Sequence, residues 1–293
     1  MNIADAIIRK TLGFLPDKAY LTLRYRALMG DWVNWKKPRK YQEKLQWLKV
    51  YNREPRYTMM VDKIAVKEWV KEVIGERYVI PTIGVWDRFE DIDFGSLPNQ
   101  FVLKTNNGGG NTGVVVCVDK SKFDKEEAKK KIEQSLKSSI YANFREWPYK
   151  DVKPRIFAEE YMSDDTDFNK GGLSDYKFTC FNGIADNVMV CVDRNSGETK
   201  FYFYDRQWNL LPLNVRGRNT DPSFKLPKPD CMDEMFDLAG KLSEGIPFLR
   251  VDLYCINGRP YFGETTFFPA SGFDPNILPE TELAFGDKII LTV

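Results

Sequence analysis

The 293-residue chain carries 43 basic and 42 acidic residues, so its net charge is close to zero and any polyanion-binding role must rest on a local patch. Hydrophobic residues make up 43% of the chain, which is typical of a soluble globular protein with a substantial core. The absence of histidine excludes Ser-His-Asp and Cys-His triads and every histidine-ligated metal site, so proton transfer would need Asp, Glu, Lys, Tyr or water.

Cysteine usage and hydropathy predict the compartment. The cysteines are odd in number, form no Cys-x-x-Cys motif and mostly lie in apolar, strand-like runs: Cys117, Cys180, Cys191, Cys231 and Cys255. This pattern is typical of reduced, buried cysteines. No apolar run approaches the ~18 residues of a membrane span, and the N-terminus lacks the pattern of a cleaved signal peptide. We therefore expect a cytoplasmic protein.

The first 75 residues are predicted to form a largely helical N-terminal region. Apolar residues recur at helical spacing in residues 20–28, 41–50 and 64–74. Residues 3–15 share this spacing and could rest weakly on a membrane surface. Packing of this helix on its own domain is the favoured interpretation.

Cations and aromatic residues alternate between Arg24 and Lys49. Such a segment can bind nucleic acid, sugar polymers or anionic lipid. More often it is a helical segment with buried tryptophans and solvated lysines, which is the interpretation we favour, with no nucleic-acid partner.

A glycine-rich turn joins two predicted strands in residues 101–118. Lys104 ends the apolar first strand, and the glycines that follow are Gly108, Gly109, Gly110 and Gly113. Successive glycines let backbone N–H groups approach an anion. The order of lysine, glycines and strand matches neither a Walker motif nor a dinucleotide-binding turn. A half-buried lysine needs a negative partner, which favours a phosphate site over a merely flexible hairpin.

The following segments predict one helix, a second sheet and a further helix. Residues 124–141 have the pattern of a charged amphipathic helix, and residues 155–162 that of a buried strand with two acidic residues. Asn182-Gly183 links a strand pair. A further strand is predicted at residues 201–205, and a helix at residues 231–243 leads into the hairpin described next.

Residues 248–267 predict a two-stranded hairpin around Asn257-Gly258. A two-residue loop would put Asp252 and Glu264 on opposite faces. With a three-residue loop closed by Gly258 in a left-handed bulge, one face carries Arg250, Asp252, Glu264 and Thr266.

Two converging carboxylates repel one another unless a cation lies between them, and oxygen ligands suit Mg²⁺ or Mn²⁺. Replacing Asp252 or Glu264 should then relieve repulsion in the metal-free protein. The alternative, taken alone, is equally plausible: Arg250 and Asp252 pair in a surface network while Glu264 faces water.

These segments together resemble the TupA-like ATP-grasp family of polysaccharide and teichuronopeptide biosynthesis. The resemblance runs from about residue 15 to the C-terminus. Its motifs are Tyr41-Gln-Glu-Lys-Leu-Gln-Trp-Leu-Lys, Asp62-Lys63, Phe101-Val-Leu-Lys104, Asp175-Tyr-Lys-Phe178, Arg250-Val-Asp252, Phe262-Gly-Glu264 and Ser271-Gly-Phe273.

The resemblance implies an α+β ATP-grasp fold in which two α+β lobes clamp ATP after the helical N-terminal region. The expected divisions are residues 1–75, 76–155, with the glycine-rich hairpin, and 156–293, with the metal site. ATP phosphates would be bound by Lys104 and Lys177, with the glycine hairpin as the lid. The adenine-binding hinge would comprise Glu159, Glu160 and Met162.

The resemblance also implies a metal and substrate site. Asp252 and Glu264 would bind Mg²⁺ or Mn²⁺, and Arg250, with Lys177, would stabilise the transferred phosphate. The small-residue loop with Ser271 and Gly272 would contact substrate. Two departures matter: Thr266 replaces the usual metal-binding Asn, and Asn107 replaces a His of the glycine loop, so no His-dependent role can operate.

The implied function is an ATP- and Mg²⁺-dependent carboxylate–amine ligase that forms an amide through an acyl phosphate. The acceptor would be a uronic acid of a capsular or teichuronic polysaccharide, and the amine an amino acid or a small amino alcohol. Three alternatives stay open. They are a glycosyltransferase using Asp165-Thr-Asp167, a phosphotransferase on the same fold, and a non-catalytic polyanion-binding protein using residues 24–49.

Overall fold

The chain forms two compact units. The computed structural model describes residues 3–110, 112–164, 173–192, 199–221 and 223–291. The small unit is Glu54–Ser163, and the large unit combines Met1–Arg53 with Asp164–Val293. A buried hydrogen bond joins the two chain segments of the large unit: Gln42 Nε2 donates to Glu282 Oε1 at 2.5 Å. The sequence-based division at residues 75 and 155 differs from these units and stays a prediction.

Helices accompany two antiparallel sheets in the described residues, which confirms the predicted α+β class. The helices are Ile3–Thr11 (α1), Asp17–Met29 (α2), Tyr41–Tyr51 (α3), Arg56–Val61 (α4), Val66–Val73 (α5), Lys125–Leu136 (α6), Ile140–Phe144 (α7), Val215–Arg218 (α8), Met232–Leu242 (α9) and Pro279–Lys288 (α10). The strands are Thr82–Trp86 (β1), Phe101–Thr105 (β2), Val114–Cys117 (β3), Ile156–Glu160 (β4), Asp175–Phe181 (β5), Ile184–Val192 (β6), Lys200–Tyr204 (β7), Leu210–Leu211 (β8), Phe248–Ile256 (β9) and Arg259–Thr266 (β10).

The helix predicted at residues 124–141 is shorter than expected. Asp124 caps α6 by accepting a hydrogen bond from Glu127 N at 2.9 Å, but the helix ends at Leu136. Ser139 then caps α7 by accepting from Ala142 N at 3.1 Å. A serine hydroxyl that bonds the backbone ahead of it favours a new helix start over a continuous helix.

Helices α1 to α5 confirm the helical character of the first 75 residues. Arg24 is 1% exposed and donates to Asp5 Oδ1 at 2.6 Å, and Lys49 is fully buried. The expectation that the lysines of this segment are solvated is therefore wrong for Lys49, and neither buried cation is available to a polyanion. None of the helices in the described ranges is both long and apolar enough to cross a membrane.

The sheet of the small unit has the strand order β1-β4-β2-β3. Leu103 pairs with Ala158, and both pack in a core that includes Ile132 of α6. Since side chains alternate along a strand, Lys104 of β2 and Glu159 of β4 lie on the other face.

The sheet of the large unit has the strand order β10-β9-β5-β6-β7-β8. Helix α9 covers one face, where Phe236 packs edge-on against Phe178 with ring centroids 4.9 Å apart. Phe178 pairs with Val251, whereas the next residues along these strands, Lys177 and Asp252, pair on the opposite face. All five cysteines lie in described residues, and none of them forms a disulfide bond.

The hairpin that joins β9 and β10 has a two-residue loop, so the predicted three-residue loop is wrong. Asn257 and Gly258 have φ of +50° and +73°, and Ile256 pairs with Arg259. Positive φ at both central residues is the type I′ turn that Asn-Gly favours. The bulge lies instead at Gly263, between the pairs Leu253↔Phe262 and Asp252↔Glu264.

A regular two-residue hairpin would place Asp252 and Glu264 on opposite faces of the sheet. The extra residue at the bulge, Gly263, returns them to the same face. A Cβ at this position would lie 2.9 Å from the backbone oxygen of Asp252. Only glycine allows the strands to approach in this way. The predicted pairing of Asp252 and Glu264 is thus observed, but for a different physical reason.

Candidate active site

A row of side chains crosses the face of the large sheet opposite α9. In strand order, the register pairs Glu264 with Asp252, Asp252 with Lys177, Lys177 with Met189, and Met189 with Phe203. The face therefore has a charged half on β10, β9 and β5 and an apolar half on β6 and β7.

Arg250 holds the charged half together. Its Nε donates to Asp252 Oδ1 at 2.6 Å and its Nη2 to Asp252 Oδ2 at 2.8 Å, which is a bidentate ion pair. The same Nη2 lies 3.0 Å from Thr266 Oγ1 and 3.3 Å from Glu264 Oε1. Lys177 Nζ contacts the carboxylates of both Asp252 and Asp175.

Opposite charges outweigh burial in this cluster. Burial raises the pKa of Asp252, but Arg250 and Lys177 lower it by a larger amount, so the net shift is downward. Burial lowers the pKa of Lys177, yet Asp252 and Asp175 raise it above its usual range. The pKa of Arg250 is raised in the same way, chiefly by Asp252 against the effect of burial. All three groups therefore stay charged at neutral pH.

Asp252 and Glu264 are the candidate metal ligands. In the part of the chain that the structure describes, no group of three or more His, Cys, Asp or Glu residues forms a metal site by itself. Mg²⁺ is usually held by one or two carboxylates together with substrate phosphates. Two facing carboxylates fit that donor set, while the hydroxyl of Thr266 already accepts a hydrogen bond from Arg250.

A second charged cluster lies in the small unit. Glu159 is 6% exposed, and its carboxylate contacts Lys104 Nζ through Oε2 and lies 2.6 Å from Lys67 Nζ through Oε1. Burial raises the pKa of Glu159, but Lys104 and Lys67 lower it by a larger amount, so the net shift is downward. Lys67 also donates to Ile80 O at 2.9 Å. In this structure, the negative partner of Lys104 is Glu159 of the neighbouring strand β4.

The glycine turn follows β2. A Cβ on Gly108 or Gly113 would lie within 3.0 Å of Thr105 Oγ1, so both glycines are required by packing. A Cβ on Gly109 would meet only Ile140 Cδ1 at 3.4 Å, and one on Gly110 would meet nothing within 4 Å. In the predicted anion-binding turn, Gly109 and Gly110 therefore have space around them, whereas Gly108 and Gly113 are tightly packed.

Three further predicted positions lie at or after the strands of the small unit. Glu160 is exposed, and its N–H donates to Pro81 O at 3.2 Å, while Met162 is half-buried. Asn107, at the position where the family often has His, is buried, and its Nδ2 donates to Ser138 O at 3.3 Å. Asn107 thus fastens the turn to the end of α6.

The small-residue loop after β10 has a left-handed backbone. Ala270, Ser271 and Gly272 have φ of +47°, +55° and +66° in succession. Non-glycine residues in this region cost about 1–2 kcal/mol each. Lys49 Nζ donates to Ser271 O at 2.7 Å and Gln46 Nε2 to Gly272 O at 2.8 Å, so α3 stabilises the strained loop.

A cavity of about 770 Å³ lies over the face of the large sheet opposite α9. Lys177 and Arg250 line it from the charged half, and Met189 and Phe203 from the apolar half. The loop after β10 contributes Pro269 and Ala270 to this lining. The predicted substrate residues Ser271 and Gly272 adjoin this wall but are not themselves part of it.

Sequence reasoning missed three of the charged residues. Lys67 and Asp175 are each one partner in the clusters, and Lys49 supports the loop. Asp175 belongs to the Asp175-Tyr-Lys-Phe178 motif, and Lys67 of α5 lies four residues after Lys63 of the Asp62-Lys63 motif, so both are close to motif positions. Nothing in the pattern around Lys49 distinguished it from a solvated lysine of an amphipathic helix.

Comparison with protein families decides the identity. The family model for TupA-like ATP-grasp proteins matches residues 43–290, which is most of the chain. The chain belongs to the TupA-like ATP-grasp family. Its α+β architecture is therefore that of an ATP-grasp protein, as predicted from the sequence. A search of curated proteins found no significant match to this ATP-grasp chain.

Solved structures similar to this ATP-grasp protein include two D-alanine–D-alanine ligases. The enzyme from Bacillus anthracis is 17% identical, with 79% of this chain and 66% of that chain covered and a TM-score of 0.44. The enzyme from Helicobacter pylori is 14% identical, with 85% and 69% covered and a TM-score of 0.46. D-cycloserine synthetase DcsG is 14% identical, with 78% and 69% covered and a TM-score of 0.42. The chain spans just under two thirds of the Bacillus anthracis ligase.

Proposed function

We propose that the protein is an ATP-dependent carboxylate–amine ligase. Membership of the ATP-grasp family supports ATP as a substrate. The observation that carries the proposal is the arrangement on the large sheet, where Arg250 binds Asp252 in a bidentate pair and also reaches Glu264 and Thr266. This arrangement provides fixed positive charge beside two facing carboxylates, as phosphoryl transfer requires.

The reaction has two steps. A carboxylate oxygen of the acceptor attacks the γ-phosphorus of ATP, the bond from that phosphorus to the ADP oxygen breaks, and an acyl phosphate forms. An amine then attacks the acyl carbon, phosphate leaves with the carboxylate oxygen, and the amine nitrogen loses a proton as the amide forms. Without histidine in the chain, that proton must leave to a carboxylate, to phosphate or to water.

The charged residues supply positioning and charge stabilisation. Lys104 binds the nucleotide phosphates by exchanging Glu159 for them, and Lys63, whose Nζ donates to Gly108 O, adds positive charge at the glycine turn. Arg250 and Lys177 stabilise negative charge on the phosphoryl group as it is transferred. Asp252 and Glu264 would hold Mg²⁺, which when bound neutralises phosphate charge and acts as a Lewis acid.

The finer assignment of substrates follows the family. The acceptor carboxylate belongs to a sugar acid, a uronic acid of a capsular or cell-surface polysaccharide or its precursor, and the amine is an amino acid or small amino alcohol. We place the reaction in the cytoplasm, where ATP is available. Helix α1 exposes Ile3 and Ile7, which are 77% and 56% accessible, and this apolar surface supports weak association with a membrane surface.

A phosphotransferase on the same fold is the second candidate, because the charged residues would serve both reactions equally. Asp165-Thr-Asp167, on which the glycosyltransferase alternative rests, lies outside the described residues. The test incubates the protein with ATP, Mg²⁺ and panels of sugar acids and amines. The ligase predicts ADP release that requires both a carboxylate and an amine. ADP release with a sugar alone and a stable phosphorylated product would contradict it, as would consumption of a nucleotide sugar without ATP.

A further inference from the structure

The apolar half of the cavity has no part in the proposed chemistry. Met189, Phe201 and Phe203 line it beside Lys177, and we call these three residues the apolar floor. Phe201 is 39% exposed, an unusual position for a phenylalanine on an inner strand of a sheet. A large exposed aromatic ring inside a concave site commonly marks a ligand contact.

We propose that the apolar floor binds a sugar ring of a carboxylate-bearing oligosaccharide, the reacting carboxylate of which lies at Lys177 and Arg250. This inference rests on the proposed function and adds where the acceptor binds and how large it is. One face of a pyranose ring presents C–H groups, which pack on an aromatic ring, while its hydroxyl groups need polar partners at the edges.

The size of the cavity favours an oligosaccharide over a free amino acid. At about 770 Å³, the cavity lies in the upper part of the roughly 300–1,000 Å³ range of sites that enclose drug-sized ligands. A free amino acid would leave most of that volume to water and the apolar floor uncovered. An acceptor of at least two sugar rings extends from the charged half to the apolar floor.

The polar rim favours a sugar over a lipid chain. Arg216, Asn219 and Thr220 line the same cavity, so the apolar floor is bordered by groups that donate and accept hydrogen bonds. A site for an acyl chain would be apolar on all sides.

The backbone of Phe201 is held firmly in place. Asn214 is buried, its Nδ2 donates to Phe201 O at 3.1 Å, and its Oδ1 accepts from Gly217 N at 2.7 Å as the cap of α8. One side chain therefore fixes both the strand that presents Phe201 and the helix that presents Arg216. Such shared support is what a preorganised binding surface requires.

The test measures binding and turnover with the full-length protein. The probes are D-glucuronic acid, a glucuronic-acid-containing disaccharide and tetrasaccharide, and D-alanine as a free amino acid. Binding is measured by calorimetry with Mg²⁺ and a non-hydrolysable ATP analogue, and turnover by ADP release with ATP and an amine panel. The variants are Phe201→Ala and Phe201→Trp, with Ile184→Ala as control, since Ile184 is 70% exposed on the adjacent strand and lies outside the cavity.

We expect the disaccharide and tetrasaccharide to bind more tightly than glucuronic acid. Loss of the ring contact in Phe201→Ala should weaken their binding about tenfold, with less effect on glucuronic acid, whereas Phe201→Trp and Ile184→Ala should bind normally. The inference is overturned if no uronic-acid probe binds, if D-alanine binds as tightly as the tetrasaccharide, or if Phe201→Ala leaves oligosaccharide binding unchanged.

The two proposals fail separately. Oligosaccharide binding that depends on Phe201, without ADP release for any amine, would support the apolar floor and contradict the ligase. ADP release that is driven by D-alanine and is unaffected in Phe201→Ala would support the ligase and overturn the apolar floor.

Discussion

Each of the two units contains a cluster in which two cationic side chains contact carboxylates, and the two clusters differ in net charge. In the small unit, Lys104 and Lys67 surround one carboxylate, that of Glu159, which leaves one positive charge. In the large unit, Lys177 and Arg250 face the three carboxylates of Asp175, Asp252 and Glu264, which leaves one negative charge. The first cluster is suited to an anion and the second to a cation.

Under the proposed function, this difference would let each cluster exchange a partner on ligand binding. A phosphate that took the place of Glu159 at Lys104 would meet a lysine that the ion pair with Glu159 already holds in position. A metal ion at Asp252 and Glu264 would compensate the excess negative charge, while Arg250 would keep its hydrogen bond to Thr266. The comparison predicts that variants of the small unit affect nucleotide affinity, and that variants of the large unit affect chemistry.

The largest expected effect is that of Asp252→Ala. Turnover should be lost, because the central carboxylate of the charged face is gone. The substitution removes the bidentate carboxylate partner of Arg250 and one of the two carboxylate partners of Lys177, so the free energy of unfolding should fall by about 3 kcal/mol. Carboxylate repulsion alone would predict no loss of stability, but the pKa of Asp252 is lowered because Arg250 and Lys177 outweigh the effect of burial. Chemical denaturation and ADP release measure the two effects, and unchanged stability would contradict the pairing.

Arg250→Ala and Lys104→Ala form a contrasting pair. Arg250→Ala should slow the chemical step by roughly 10²–10³-fold, the size expected for loss of one charge-stabilising donor, while ATP binding largely persists. Lys104→Ala should chiefly weaken ATP binding. Single-turnover kinetics and nucleotide titrations separate the two. The comparison breaks down if both variants lower affinity and rate in the same proportion.

The fold was predictable from the sequence, and the site only in part. Alternating apolar and polar residues, Asn-Gly turns and glycine spacing indicated the strands and hairpins, because these are local signals. The ATP-grasp fold itself was implied by the family resemblance. The bulge at Gly263 escaped prediction since a glycine preceding Glu264 has no local signature as a bulge. Lys67 and Asp175 escaped because their roles depend on strands brought together by tertiary pairing.

The hydrogen bonds that support the small-residue loop after β10 escaped prediction for the same reason. Lys49 and Gln46 lie more than 200 residues from Ser271 and Gly272 in the chain. A lysine on an amphipathic helix normally reaches solvent, and only the packing of α3 in the large unit shows that this one is buried.

Glu159→Gln tests the small-unit cluster through pH. The pKa of Glu159 is lowered in the folded protein, so its stabilising contribution is present above the unfolded value of about 4.3 and is lost as pH falls through the folded value. The variant should be about 3 kcal/mol less stable than the wild type at pH 7, and this difference should shrink below pH 4. A difference that stays constant between pH 7 and pH 3 would contradict the ion-pair account.

Lys49→Met tests the strained loop and should have the smallest effect. Methionine keeps the length and packing of the side chain but leaves Ser271 O without its lysine donor, which should cost about 1–2 kcal/mol of stability. Because the loop lines the cavity, KM for the acceptor should rise while KM for ATP stays the same. Lys49→Arg is the matched control that retains a donor. Equal KM values for the acceptor in wild type and Lys49→Met would show that the lysine has no part in positioning the loop.

The most direct test of the ligase mechanism follows oxygen from the acceptor carboxylate. An acceptor labelled with ¹⁸O in both carboxylate oxygens is incubated with ATP, Mg²⁺ and the amine, and the released phosphate is analysed by mass spectrometry. An acyl phosphate transfers one carboxylate oxygen to phosphate, so the account predicts one ¹⁸O in each phosphate released and one retained in the amide. Phosphate without ¹⁸O, accompanied by amide or phosphorylated product that keeps both labels, would contradict it.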